Sequence, residues 1–74
     1  MDDQKRSDIL LLIQARLYGQ SGSYPEKARR LYLSLNTVYD LMNGKFKKFT
    51  FDQLIGIAKK AGINPRQYKS SLLV

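Results

Sequence analysis

Six cations, Lys27, Arg29, Arg30, Lys45, Lys47 and Lys48, fall between Ser23 and Thr50 against only Glu26 and Asp40, a local balance of six minus two, or +4. The whole 74-residue chain carries 13 Lys and Arg against 6 Asp and Glu, a formal net charge of +7. A charge of this sign and density draws an anionic partner, with nucleic acid the leading candidate and an acidic protein or membrane surface behind it. The same inventory argues against covalent and acid–base chemistry. Histidine and cysteine are both absent, which removes the usual zinc ligands, most nucleophile–base pairs and the commonest general acid–base. The six carboxylates form no evident pair. A binding protein without catalytic residues, metal or cofactor is therefore expected, not an enzyme.

The elements that hold these cations are marked by caps. In Ser23-Tyr24-Pro25-Glu26, Ser23 can accept from the free amide of Glu26 while Glu26 reaches back. Pro25 falls in the first turn, where a missing N–H costs little. Ala28, Leu31 and Tyr24 are spaced to face a core, leaving Lys27, Arg29 and Arg30 to the surface. Ser34 then caps a second helix that Gly44 ends, since glycine takes the left-handed conformation needed just past a helix end. Only Tyr32 and Leu33 remain for the turn. Two short helices joined this tightly cross steeply and leave the outer face of the second free to enter a DNA major groove.

Elsewhere, Ile9, Leu12, Ile13 and Leu17 form an apolar face on a helix from about Lys5 to Tyr18. Leu10 and Leu11 lie outside the narrowest stripe, so this helix is either wide-faced or touches a second surface. Thr50 and Gln53 form a capping box for a helix whose core face is Phe51, Leu54, Ile55, Ala58 and Ala61, ending at Gly62. Asn64-Pro65 repeats a cap-then-proline signal for a short fifth helix to about Leu72. No strand-like alternation of any length occurs. The expected architecture is all-α, five helices around one core.

With Ala28, Tyr32, Leu33, Ser34, Val38 and Gly44 at the characteristic spacing, the sequence resembles the phage-repressor class of helix-turn-helix proteins, the Cro, lambda-repressor or XRE family. Lys45 to Phe49 and Asp52 to Ile63 match the basic loop and the following helix, so the resemblance covers roughly residues 8 to 68. The run Gly-Lys-Phe-Lys-Lys-Phe-Thr looks most like the HigA-like antitoxin branch. The resemblance implies a five-helix lambda-repressor-like domain over residues 1–74, with the helix-turn-helix at about 24–43. It departs from the family at Tyr32, a turn position often held by glycine because φ tends to be positive. A bulky residue there costs roughly 1 kcal/mol or more, so the turn is expected to be strained or differently wound.

The resemblance further implies that Leu35, Asn36, Tyr39 and Asp40 read bases from the helix at 35–43. Thr37 and Asn43 lie nearer the DNA backbone, and Lys45, Lys47 and Lys48 contact phosphates from the loop. Asn36 is the best single base contact, because a carboxamide can pair with adenine N6 and N7. Leu35 either touches a thymine methyl or joins the core with Val38 and Met42. Tyr39 is a groove contact, a partner contact or an incidental surface residue, and Asp40 either accepts from cytosine N4 or pairs with a neighbouring Lys or Arg. Tyr24 stands where the family often carries a phosphate-binding glutamine, and with Ser23 it presents a helix N-terminus to a further phosphate. Val38, Leu41 and Met42 are expected in the core, and Phe46 or Phe49 should anchor the lysine loop.

A chain of this size buries only about 60% of the surface its unfolded form exposes, so modest stability or self-association is expected. Leu72, Leu73 and Val74 are apolar and should dock on the first helix or on a second subunit. A homodimer is expected, since two copies would read a palindrome. The absence of cysteine agrees with a cytoplasmic location. The longest apolar run, Ile9 to Ile13, is too short to span a bilayer, and Met1-Asp2-Asp3 is the reverse of a secretory start. These features make the chain a candidate double-stranded DNA-binding transcriptional regulator, most simply a repressor or self-repressing antitoxin. The rival is a protein-interaction module for a toxin or other partner, with RNA binding third.

Overall fold

The computed structural model describes residues 2–63; the expected helix from Pro65 and the apolar Leu72, Leu73 and Val74 lie outside them. All regular structure among the described residues is helical: α1 (Asp2–Tyr18), α2 (Tyr24–Leu31), α3 (Leu35–Met42), a 3-10 turn (Phe46–Lys48) and α4 (Phe51–Lys60). α1 begins earlier than the expected Lys5. Asp3, in its first turn, complements the helix dipole and pairs with Arg6 one turn on, which favours the extra residues.

Ile9, Leu10, Ile13 and Leu17 of α1 form the floor of the core, so α1 is wide-faced on the side of Leu10, whereas Leu11 stays exposed. The same core takes Val38, Leu41 and Met42 from α3, Leu54, Ile57 and Ala58 from α4 with Ala61 just after it, and Ala28 and Leu31 from α2, which packs chiefly on α3. The position of α4 differs in rotation from expectation. Phe51 is exposed at the first turn, beside Lys5 and Arg6, while Ile57 is buried. The small Ala58 and Ala61 face the core together with Leu54 and Ile57, Ile55 packs against its edge as expected, and the inward stripe turns away from Phe51 alone.

Three helices end in the same way. After α3, Gly44 N–H donates to Leu41 O and Lys45 N–H to Asp40 O, and after α4 Gly62 N–H donates to Lys59 O and Ile63 N–H to Ala58 O. Both glycines have positive φ, 74° and 83°, the geometry that closes a helix and satisfies its last carbonyls. After α2 the pattern recurs, Tyr32 N–H to Arg29 O and Leu33 N–H to Ala28 O, with Tyr32 in the glycine's place at φ 56° and ψ 41°. The turn is therefore wound in the ordinary left-handed manner and carries the strain. Tyr32 is 87% exposed, so its ring gives little packing in return. Replacement Tyr32→Gly is expected to raise stability by about 0.5–1 kcal/mol, the left-handed penalty less the added freedom of the unfolded chain. Urea denaturation reads this as a higher midpoint at unchanged slope. A lower midpoint would mean that the tyrosine ring is held by a contact more valuable than the strain.

Polar side chains of α1 tie the other elements down. Arg6 Nη1 donates to Phe49 O at 3.1 Å, Gln14 Nε2 to Leu41 O at 2.8 Å, and Arg16 Nε to Ala61 O at 3.0 Å. The last two serve carbonyls at the ends of α3 and α4, with Leu41 O accepting from Gln14 in addition to the Gly44 N–H.

Candidate nucleic-acid interface

Ser34 sets α3 in place. Its hydroxyl accepts from Thr37 N–H at 3.2 Å and lies 2.7 Å from Thr37 Oγ1, so the helix starts sharply at Leu35. Val38, Leu41 and Met42 turn inward, which leaves Leu35, Asn36, Tyr39 and Asn43 on the exposed side. Leu35, 38% exposed, sits at the rim and does not enter the core. Thr37 points elsewhere: it is half-buried and lines a cleft of about 300 Å³ with residues of α4, among them Gln53 and Ile57. Its hydroxyl is already engaged by Ser34.

Asp40 is half-buried, and its carboxylate meets Lys48 Nζ at 3.5 Å. Of the two alternatives for Asp40, the structure has the cation pair, which links α3 to the 3-10 turn. Phe46 and Phe49 pack against the core on either side of Lys47 and Lys48, and the Arg6 guanidinium lies 5.9 Å from the Phe46 ring centroid. The loop is thus anchored at both ends. Lys45 and Lys47 are exposed and, among the described residues, make no ion pair.

At the start of α2, the Ser23 hydroxyl is within 3.5 Å of Glu26 N and 3.3 Å of Glu26 Oε1. The glutamate meets the serine hydroxyl instead of the backbone amide expected for a full capping box, and it also approaches Arg30 at 3.9 Å. Its carboxylate gives this helix end a negative neighbour. By contrast, the box of Thr50 and Gln53 closes in both directions, at 2.8 and 3.1 Å.

Tyr24, half-buried, packs edge-on against Tyr39 with ring centroids 5.1 Å apart and planes at 70°, an arrangement favoured by the ring quadrupoles. Tyr39 is therefore a partner of Tyr24 as well as an exposed residue. Lys27 corrects the expectation of a surface cation: only 6% of it is exposed. Its stem fills the inward flank of α2, and its ammonium lies 5.7 Å from the Tyr24 ring centroid. The spacing Tyr24, Lys27, Ala28, Leu31 is an inward helical stripe, and residue type alone had placed Lys27 outside it. Arg29 and Arg30 are on the surface as expected.

The result is a shallow face, not an enclosed site, made of the exposed side of α3, the Tyr24–Tyr39 pair and the lysine loop. It offers a carboxamide, phenols and ammonium groups, suited to hydrogen bonding and ionic recognition. Among the described residues no cluster of acidic, histidine or cysteine side chains could hold a metal ion, and no helix is long and apolar enough to cross a membrane. Comparison of the chain with family models, with curated proteins and with solved structures finds no match.

Proposed function

We propose that this protein is a sequence-specific double-stranded DNA-binding regulator, a repressor or a self-repressing antitoxin, in which α2 and α3 form a helix-turn-helix within a lambda-repressor-like domain. The observation that carries this is the pairing of a short helix with exposed, polar Asn36 and Asn43 on its outer side with exposed Lys45 and Lys47 immediately after it. α3 enters the major groove, Asn36 pairs with a base edge, and Leu35 and Tyr39 contact neighbouring groups. Asp40 serves the loop through Lys48 and reads no base. Lys45 and Lys47 neutralise backbone phosphates, which positions α3 without specifying sequence. Two copies about one helical turn apart, roughly 34 Å, would read a palindrome.

Selection of bound duplexes from a random pool at low salt tests this. A two-fold symmetric consensus is the expected product. A pool that stays random, with no measurable retention of duplex, would reject the proposal. A second function, capture of a protein partner such as a toxin, is favoured by Leu11 and Tyr18 of α1, 59% and 68% exposed, which groove reading leaves unused. That reading predicts a complex that persists at high salt.

A further inference from the structure

The least explained charge in the structure is that of Lys27. Lysine is almost never fully buried unless it is paired, and here 94% of the residue is covered, the complement of its 6% exposure. Among the described residues no carboxylate comes within ion-pair distance of its ammonium, and no carbonyl or hydroxyl accepts from it. Glu26, its neighbour in sequence, is turned to Ser23 and Arg30. The Tyr24 ring lies under it, with the centroid at 5.7 Å. The nitrogen is not sealed in, since the buried polar atoms without partners are Arg6 Nε and Gln20 Oε1. The stem is thus inside while the nitrogen keeps some access to solvent, with no acceptor for its donors among the described residues.

We propose that Lys27 is a phosphate-binding residue whose ammonium receives a non-bridging oxygen of the duplex backbone beside the groove occupied by α3. This rests on the DNA-binding function proposed above and adds to it a contact not expected from the chain's surface cations. Two features support the assignment. First, Tyr24, which the Lys27 cation overlies, packs against Tyr39, so the cation lies one ring away from the exposed side of α3, where a strand bordering the groove would run. Second, a methionine or leucine would fill the same space without placing a charge there, and packing alone therefore gives no reason for an ammonium. A phosphodiester supplies the missing counter-charge, and the covering stem and ring hold the ammonium in one place. A fixed donor loses less freedom on binding than the exposed lysines of the loop.

The test compares the full-length chain with Lys27→Met, which keeps the stem and removes the charge, and with Lys59→Met as a surface control. Duplex affinity is titrated against salt, and the 15N resonance of Lys27 Nζ is followed in the wild-type chain on addition of duplex. Lys27→Met is expected to bind about tenfold more weakly at 0.1 M salt, as for loss of one charged hydrogen bond. Its log–log salt slope should be shallower by about 0.9 and its base preference unchanged. Lys59→Met should move neither quantity, and the Nζ resonance should shift on binding. If wild type binds duplex while Lys27→Met matches its affinity and slope, or the Nζ resonance stays still, this inference is overturned and the DNA-binding function stands. Wild type that binds no duplex removes both. Should Lys27→Met fail to fold, the resonance alone decides.

Discussion

Leu41→Ala is expected to remove about 3 kcal/mol of folding free energy, within the range found for fully buried leucines, where lost transfer energy and a residual cavity add. Leu41 has no exposed surface, and its backbone carbonyl is bonded to Gln14 of α1, so the neighbouring chain is pinned and can close little of the void. A domain of 74 residues has roughly 4–11 kcal/mol in total. One truncation would thus consume a large share of the stability and lower the melting temperature by roughly 12–24 °C. Urea and thermal denaturation both measure this. A loss below about 1 kcal/mol would show that α3 does not lean on the core through Leu41. Because this side chain faces inward, base preference measured well below the melting temperature should survive the substitution.

The second large effect concerns the proposed DNA recognition. Asn36 is exposed in the first turn of α3, and a carboxamide bonded twice to one base contributes about 1–3 kcal/mol of discrimination, or roughly 5- to 150-fold in relative affinity. Asn36→Ala should erase preference at one base pair in each half-site while leaving the salt slope unchanged. Lys47→Ala should do the reverse, weakening every duplex alike and flattening the slope by about 0.9. Equal losses for the two variants across all sequences would show that Asn36 contributes no base reading.

Helix ends were the most legible part of the fold. Ser23, Ser34, Thr50 and Gln53 sit where their hydrogen bonds require, and Gly44 and Gly62 have the positive φ that their type anticipates. These are local effects, decided by residues three or four apart. The faces of helices were less legible, because Phe51 and Ile57 both fit an inward stripe and only the approach of α4 to α1 chooses between them. Lys27 was misplaced because type outweighed spacing, although burial of a lysine stem is inexpensive if the tip stays wet. The donors from α1 were not legible at all. Gln14 and Arg16 find their carbonyls 27 and 45 residues away, and no pattern along the chain announces such a bond. For the candidate interface, exposure of Asn36, Tyr39, Lys45 and Lys47 agreed with expectation, whereas the engagement of Thr37 with Ser34 and the pairing of Tyr39 with Tyr24 depended on tertiary placement.

Those three donors of α1 have a kinetic and calorimetric consequence. With Phe49, Leu41 and Ala61 all hydrogen-bonded to one rod of helix, the outer side of α3 and the loop beside it are ordered before any partner arrives. If the proposed DNA binding holds, a domain built this way loses little further conformational entropy on docking. Its association should be governed by diffusion and orientation, accelerated by charge, with no slow folding phase. The heat-capacity change on binding should then correspond to the area desolvated at the contact alone, without the larger negative term that accompanies coupled folding.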